Sequence, residues 1–170
     1  MSERQLIIKA RSGEKEAFCR LYDIYKERLY RYAFYRLGNE DDAKDAVSDC
    51  IISAYQQIVS LKKSDAFKSW IFRILSCCCI KYINNQAVSR YTVTLDDIAN
   101  TYYSDCINTE NKTDVLQALE QLNDDEKDIV LLSVLSGLKS HEIAELKGMT
   151  AGSVRSKLSR SLEKMRTFLE

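Results

Sequence analysis

The sequence predicts an all-α protein of two helical domains joined by an acidic linker, the C-terminal one a four-helix domain with a helix-turn-helix. Three observations support this fold class. The 170 residues contain no proline and only five glycines, the two residues that most disfavour helix interiors. Apolar side chains recur at steps of three and four residues along most of the chain, which indicates amphipathic helices. Residues 89–112 lack this period and are rich in small polar side chains, so they are predicted as the linker.

The charge is balanced overall but unevenly distributed. The formal net charge is zero. Residues 1–91 carry 16 basic and 11 acidic side chains, residues 92–128 carry 2 and 10, and residues 129–170 carry 7 and 4. A protein that coats nucleic acid would be basic throughout, so any such contact is expected to be local or assisted by a partner.

No apolar run approaches the roughly 18 residues of a membrane span, and the N-terminus lacks an apolar signal core. We therefore expect a cytoplasmic protein with no membrane insertion.

The N-terminal domain, residues 1–88, is predicted to hold four helices. They cover residues 3–10, Lys15–Leu37, a helix opening at Asp41, and Ala66–Asn84. The third helix has an apolar side and an opposite polar, acidic stripe of Asp42, Asp45, Ser48 and Asp49. From these residues alone, a solvated face is the better interpretation of this stripe than a binding surface.

The fourth helix is apolar around most of its circumference, except for one row. Trp70, Arg73, Cys77, Lys81 and Asn84 follow one another at steps of three, four, four and three. An aromatic ring followed by basic and amide groups suits stacking on bases beside phosphate contacts. Alternatively, Trp70 is a core residue and the others are its exposed fringe, and the sequence does not separate the two.

The C-terminal domain, residues 113–170, is predicted to hold four helices. Thr113 is expected to cap Asp114–Leu122, Asn123 to cap Asp124–Ser136, Ser140 to cap a short third helix, and Thr150 to cap the last. Gly148 stands where a helix ends in the left-handed conformation.

The last two helices have the spacing of a helix-turn-helix. Ala144, Gly148 and Val154 are separated by four and six residues, as in the motif whose second helix enters the major groove. The second helix is predicted to bury one face, made of Val154, Leu158, Leu162, Met165 and Leu169. Its other side carries Ser153, Ser156, Ser159 and Arg160, with Arg155 and Lys157 on the flanks. This combination favours DNA binding over a helical hairpin with a merely solvated face.

Metal and catalytic sites are not expected. Cys77, Cys78 and Cys79 are consecutive, so on a helix they point about 100° apart and cannot close one tetrahedral site. There is no Cys-x-x-Cys pair and a single histidine, His141, so reduced, mostly buried thiols are the better interpretation. No glycine-rich loop and no nucleophile beside a base are evident. We therefore expect no catalytic residue, cofactor or small-molecule substrate.

Four short stretches, in their order and spacing, resemble the sigma-70 family of bacterial RNA polymerase initiation factors, in its two-domain extracytoplasmic-function (ECF)-like form. They are Glu16-Ala17-Phe18 with Leu21-Tyr22; Asp42-Ala43-Lys44-Asp45; Phe67 to Ile74; and Glu142-Ile143-Ala144 with Ser153 to Arg160.

The resemblance implies roles for the surfaces described above. Asp42, Asp45, Ser48 and Asp49 would dock on a coiled coil of core RNA polymerase. Lys62, Lys63 and Ser64 with Trp70, Arg73, Cys77 and Lys81 would melt and read the promoter −10 element, the loop holding a flipped base. Thr150, Ser153, Arg155, Ser156, Lys157 and Arg160 would contact the −35 element. An anti-sigma factor is a further partner that the family implies.

This chain departs from the family pattern at several of these positions. Cys77 stands where Asn is usual, Lys81 where Asp is usual, Asn84-Asn85 where a basic pair follows, and Ser48 where Gln is usual. These departures concern the −10 and docking surfaces and leave the −35 helix unchanged. The alternative hypothesis is a stand-alone helix-turn-helix regulator, which would bind DNA without polymerase.

Overall fold

The computed structural model describes the backbone of residues 1–90 and 109–170, and the side chains of residues 1–86 and 112–170. Within these ranges the chain forms helices and no strand, as the sequence predicts. The α-helices are α1 (Glu3–Arg11), α2 (Lys15–Leu37), α3 (Glu40–Gln57), α4 (Phe67–Arg90), α5 (Thr109–Glu120), α6 (Asp124–Val134), α7 (Ser140–Lys147) and α8 (Ala151–Leu169). Two short 3-10 helices, Ile58–Ser60 and Ser64–Ala66, lie between α3 and α4.

Local signals explain the ends of several helices. Gly38 ends α2 in the left-handed conformation, with φ 72°, and the Asn39 side chain accepts a hydrogen bond from the Asp42 N–H at 3.0 Å. Asn123 caps α6 as predicted: its side chain accepts from the Glu126 N–H at 2.9 Å, while the Glu126 carboxylate accepts from the Asn123 N–H at 3.2 Å. Such reciprocal capping satisfies two backbone donors that the helix itself leaves unpaired.

The N-terminal group of helices, α1 to α4, is organised around aromatic side chains of α2 and α4. Tyr32, Phe67 and Phe72 are fully buried. Tyr25 meets Phe67 edge to face at a centroid distance of 5.3 Å, and Tyr32 meets Phe72 in the same way at 5.9 Å. Since each buried ring contributes on the order of 2–3 kcal/mol by its apolar area, these pairs fix α4 against α2.

The C-terminal group of helices, α5 to α8, encloses Leu119, Ile129, Leu132, Ile143 and Val154, all buried. This group packs on the N-terminal group through α6 against α2 and α7 against α4. The buried apolar side chains of both groups form one continuous cluster. Packing between the groups was not anticipated from the sequence.

Several predicted boundaries were wrong. Helix α5 begins at Thr109, so Thr113 lies inside the helix and is not its N-cap. The residues of the first turn are all polar, so no apolar periodicity indicated that the helix starts there. Helix α4 continues to Arg90, because neither glycine nor proline follows Asn84 to stop it. The predicted linker therefore retains only residues 91–108, which lie outside the described residues. The sequence also predicts a short turn of helix at Leu95–Ala99, and this prediction lies outside the described residues as well.

Two further corrections concern caps and faces. The N-cap of α7 is Lys139 rather than Ser140, because the Glu142 carboxylate reaches back to the Lys139 N–H at 2.9 Å. On α8, Leu162 and Leu169 are 42% and 52% exposed, while Ser161 is buried. Two consecutive four-residue steps lead from Val154 through Leu158 to Leu162, so at about 100° per residue Leu162 lies about 80° from Val154 around the helix, whereas Ser161 lies only about 20° from it. The buried Ser161 hydroxyl donates to the Lys157 carbonyl at 2.6 Å.

Candidate nucleic-acid interface

The turn between α7 and α8 is fixed by Gly148 and Thr150. Gly148 has φ 66° and ψ 37°, and a Cβ built on it would meet nothing within 4 Å. Glycine is therefore needed there for its backbone conformation and not for space. The Thr150 hydroxyl accepts from the Ser153 N–H at 3.1 Å and so starts α8. Both predictions are confirmed.

Buried small and branched side chains hold the two helices together. Ala144 is 7% exposed, and Val154 is fully buried together with Ile143. Because Val154 points inward, the opposite side of α8 faces outward. Ser153, Arg155, Ser156 and Arg160 are all exposed on that side, and Lys157 is half-buried at its edge.

The cations of α8 differ in how far they are engaged by the protein. Lys164 pairs with Glu126 at 2.9 Å, and Arg166 with Glu170 at 3.2 Å. The Arg160 Nε donates to the Ser156 carbonyl of its own helix at 3.3 Å. Arg155 makes no ion pair with any described residue. The first two turns of α8 thus present a guanidinium that no described residue pairs with, beside backbone N–H groups, an arrangement suited to phosphates and base edges.

The row on α4 lies along one exposed edge of the N-terminal group. Arg73, Cys77, Lys81 and Asn84 are exposed. Trp70 is half-buried, and its ring lies 5.8 Å from that of Phe67 at 41°. Trp70 is therefore partly a core residue and partly an accessible ring, because one side of the indole packs on the core and the remainder stays accessible.

The connector before α4 lies at the start of this row. Lys62 and Lys63 are exposed, and Ser64 is half-buried at the beginning of the 3-10 helix. Lys68, one turn further on, is drawn towards the C-terminal group, where its Nζ donates to the Gly137 carbonyl at 3.2 Å.

The acidic stripe lies on α3. Asp45, Ser48 and Asp49 are exposed and Asp42 is half-buried. Two of the four side chains are held by α4: the Tyr82 hydroxyl donates to Asp49 at 2.9 Å, and the Gln86 amide donates to Asp42. Asp45 and Ser48 have no such partner among the described residues.

Tyr82 was predicted only as an apolar residue of α4, and its role beside the stripe was missed. Its pKa is raised to about 12 by burial, by its hydrogen bond to Asp49 and by the negative charges of Asp49, Asp45 and Asp42. The phenol is therefore protonated at neutral pH and remains a donor. The tyrosine itself was visible in the sequence, but its pairing with a residue 33 positions away was not.

The thiols among the described residues are free, with Cys50, Cys78 and Cys79 buried and Cys19 and Cys77 exposed; Cys106 lies outside the described residues. Burial raises the pKa of Cys79 to about 12. Across the described ranges, no group of His, Cys, Asp or Glu side chains has the arrangement of a metal site. In the same ranges, no helix has the length and apolar content to cross a membrane.

Comparison with known proteins covers both groups of helices. Residues 21–88 match the family model described as Sigma-70 region 2, and residues 112–165 match Sigma-70, region 4. RNA polymerase sigma factor SigV of Bacillus subtilis (strain 168) is 32% identical over 146 residues, which cover 85% of this chain and 86% of that protein. ECF RNA polymerase sigma factor SigW of the same organism is 26% identical, with 99% and 97% covered.

Two solved structures share the fold. One is CnrH in complex with the cytosolic domain of CnrY, with a TM-score of 0.76 and 21% identity, covering 98% of this chain and 96% of that one. The other is the sigma factor RpoE in complex with the anti-sigma factor NepR from Bartonella quintana, with a TM-score of 0.72 and 20% identity, covering 89% and 96%.

Proposed function

The chain belongs to the sigma-70 family of RNA polymerase sigma factors, and from that premise we propose how its residues divide the work of promoter-specific transcription initiation. As a sigma factor it binds core RNA polymerase and the −10 and −35 elements of promoter DNA. Residues 1–88 act in polymerase docking and −10 recognition, residues 91–108 link the two groups of helices, and residues 113–170 act in −35 recognition. The polymerase supplies the chemistry, and the sigma factor itself catalyses no reaction.

The −35 element is contacted by the N-terminal half of α8. Thr150 and Ser153 lie at the start of the helix, where the positive end of the helix dipole and free N–H groups favour a phosphate. Arg155, Ser156 and Arg160 face outward for base edges, and Lys157 is placed beside them for the DNA backbone. The observation that supports this role is the exposed Arg155, which has no ion-pair partner in the part of the chain that the structure describes, next to a buried Val154.

The −10 element is contacted by the exposed edge of α4 and the connector before it. The accessible part of Trp70 stacks on an unpaired base, and Lys62, Lys63 and Ser64 hold the displaced nucleotide. Arg73 and Lys81 neutralise phosphates on either side of Cys77. Because Cys77 lacks an amide, it makes weaker hydrogen bonds to base edges than the Asn usual in the family.

Core polymerase docks on α3. Asp45 and Ser48 are open to a basic partner, while Tyr82 and Gln86 position Asp49 and Asp42 in fixed rotamers. Holding a carboxylate in one orientation reduces the conformational entropy lost when the partner binds. We also propose that the protein acts in the cytoplasm and that an anti-sigma factor regulates it, as in the RpoE–NepR complex.

The docking role is tested by charge reversal at Asp45. Asp45→Lys would place a like charge against a basic partner, which costs several kcal/mol, so binding to core polymerase is expected to weaken at least tenfold. The matched control is Glu16→Lys, a reversal of a 73%-exposed carboxylate on α2 that should leave binding unchanged. Equal binding of both variants to polymerase would overturn the assignment of α3.

A footprint with and without core polymerase distinguishes a sigma factor from a stand-alone regulator. Promoter DNA should be footprinted only when core polymerase is present, and transcription from it should require the protein. Protection of a palindromic site by the protein alone would favour the regulator instead.

A further inference from the structure

We propose that a cleft lined by side chains of both groups of helices binds a small phosphorylated molecule of the nucleotide class. The cleft has a volume of about 470 Å³, within the roughly 300–1,000 Å³ of small-molecule pockets. It is lined by α1, α2, the second 3-10 helix, the start of α4 and the start of α7. The proposal rests on the side chains of this cleft and is independent of the proposed function in transcription.

Two buried side chains form an apolar floor. Ile7 and Tyr25 line the cleft and are 3% and 2% exposed, and the Tyr25 ring packs edge to face on Phe67. The Tyr25 hydroxyl donates to the Glu3 carboxylate at 2.6 Å. Burial, followed by the bond to Glu3, raises the pKa of Tyr25, so the phenol remains a donor at neutral pH and holds Glu3 in place. A flat, apolar part of a ligand can rest on such a floor.

Four cations from four parts of the chain surround the cleft. They are Arg4 on α1, Arg28 on α2, Lys68 on α4 and Lys139 at the N-cap of α7. Lys68 donates to the Gly137 carbonyl at 3.2 Å, which leaves the other hydrogens of its ammonium for a ligand. None of the four lies within ion-pair distance of a carboxylate in the part of the chain that the structure describes. Like charges around one cleft repel each other, and an anion bound between them replaces that repulsion with attraction.

The lack of partners distinguishes these cations from their neighbours. On α2, Arg20, Lys26 and Arg31 each pair with a carboxylate three or four residues away, at 3.1, 3.0 and 2.7 Å. Arg28 lies on the same helix, but no residue three or four positions away from it is acidic. The same is true of Arg4 on α1. Both guanidiniums are therefore available to a phosphate, which each can contact through two parallel hydrogen bonds.

Three carboxylates make the cleft unsuitable for a simple polyanion. They are Glu3, Asp65 and Glu142. Glu3 accepts one bond from Tyr25 and Glu142 one from the Lys139 N–H, and a carboxylate can accept several more. These groups repel a ligand that carries only negative charge, whereas they accept hydrogen bonds from hydroxyl and amino groups. A nucleotide combines phosphates, sugar hydroxyls and a flat base, so it matches the cations, the carboxylates and the floor together.

The site is tested by isothermal titration calorimetry of the full chain, without polymerase and without divalent cations. The probes are the four common nucleoside triphosphates and inorganic tripolyphosphate, which carries the phosphates without sugar or base. At least one nucleoside triphosphate should bind saturably at one site per chain. It should bind about tenfold or more tightly than tripolyphosphate, because only the nucleotide can donate to the carboxylates. Added salt should weaken binding, since the cations are accessible to solvent.

Two variants and a matched control locate the phosphates. Arg28→Gln and Arg4→Gln each remove a charge at an exposed position, and each should weaken nucleotide binding about tenfold or more, because a charge-assisted bond is lost. The control is Arg20→Gln, which removes an exposed cation of α2 that pairs with Glu16 outside the cleft. It should leave binding unchanged. Circular dichroism checks that all three variants are folded.

Asp65 provides a separate test of the nucleotide class. Asp65→Ala removes an acceptor for the sugar or base and also removes a charge that repels phosphates. The preference for the nucleotide over tripolyphosphate should therefore fall by about tenfold. An unchanged preference would show that the carboxylates do not recognise the ligand.

Amide NMR spectra locate the bound nucleotide within the chain. The largest shifts on titration should fall at the residues around the cleft, including Arg4, Arg28 and Lys139. Four results would overturn the proposal: no binding of any nucleoside triphosphate, equal losses in Arg20→Gln and Arg28→Gln, tripolyphosphate binding as tight as nucleotide binding, or the largest shifts along α4 from Arg73 to Lys81. None of these results bears on the binding of polymerase or promoter DNA, which is measured separately.

Discussion

Two glycines four residues apart in the helix-turn-helix should respond oppositely to the same substitution. Gly148 has φ 66°, whereas Gly152 lies in the first turn of α8. Neither site is crowded: a Cβ on Gly148 meets nothing within 4 Å, and one on Gly152 meets only the Arg155 guanidinium at 3.9 Å. Backbone conformation alone therefore decides the sign.

The magnitudes follow from that conformation. Alanine at Gly148 must adopt the left-handed region, which costs about 1–2 kcal/mol. Alanine at Gly152 replaces a poor helix former and reduces the entropy of the unfolded chain, so about 0.5 kcal/mol of stabilisation is expected. For a chain of this length, 1 kcal/mol shifts the Tm by about 2–4 °C.

The assay is thermal and urea unfolding followed by circular dichroism, with both variants measured beside wild type. Gly148→Ala should lower the midpoint and Gly152→Ala should raise it slightly. Changes of the same sign in both variants would refute the reasoning that links Gly148 to its positive φ.

Two further predictions concern the charged groups of the C-terminal helices. Arg155→Ala should weaken binding of the polymerase complex to −35 DNA by about 1–3 kcal/mol and relax the preference for one base pair. The control variant Arg166→Ala, on the same helix, should change neither the affinity nor the preference. Equal weakening of binding to all DNA sequences would indicate that Arg155 contacts a phosphate instead of a base. The hydrogen bond from Lys164 lowers the pKa of Glu126, and that from Lys147 lowers the pKa of Asp125. A lowered folded-state pKa stabilises the fold above the ordinary pKa and ceases to do so as pH falls through the folded value. Lys164→Met should therefore be less stable than wild type at pH 7 in urea unfolding, and the difference should shrink as the pH falls below the ordinary pKa of a glutamate; a difference independent of pH would contradict this.

Local signals explain why much of the fold was predictable. Helix α2 ends at Leu37 as expected, because Gly38 and Asn39 provide both a left-handed stop and the next cap. The turn at Gly148 and the cap at Thr150 were predictable for the same reason. Such features depend on side chains within a few residues of each other, which a sequence shows directly.

Boundaries without such signals were missed. The first turn of α5 is polar on all sides, and α4 runs past Asn84 because nothing stops it. The exposure of Leu162 was also missed, because two successive four-residue steps were assigned to one face although together they turn about 80° around the helix.

Contacts between distant residues could not be predicted from periodicity. Tyr32 and Asp128 are 96 positions apart, and nothing in the sequence predicted that their side chains meet. Likewise, the acidic stripe was predicted from spacing, but the donors Tyr82 and Gln86 that hold half of it required the packing of α3 on α4.

The most direct test of the account is promoter-dependent transcription by core polymerase with and without the protein, read together with a footprint. We predict initiation at discrete promoters only when the protein is present, with protection of both −35 and −10 regions that requires polymerase. Initiation independent of the protein, or protection by the protein alone at a single site, would contradict the assignment.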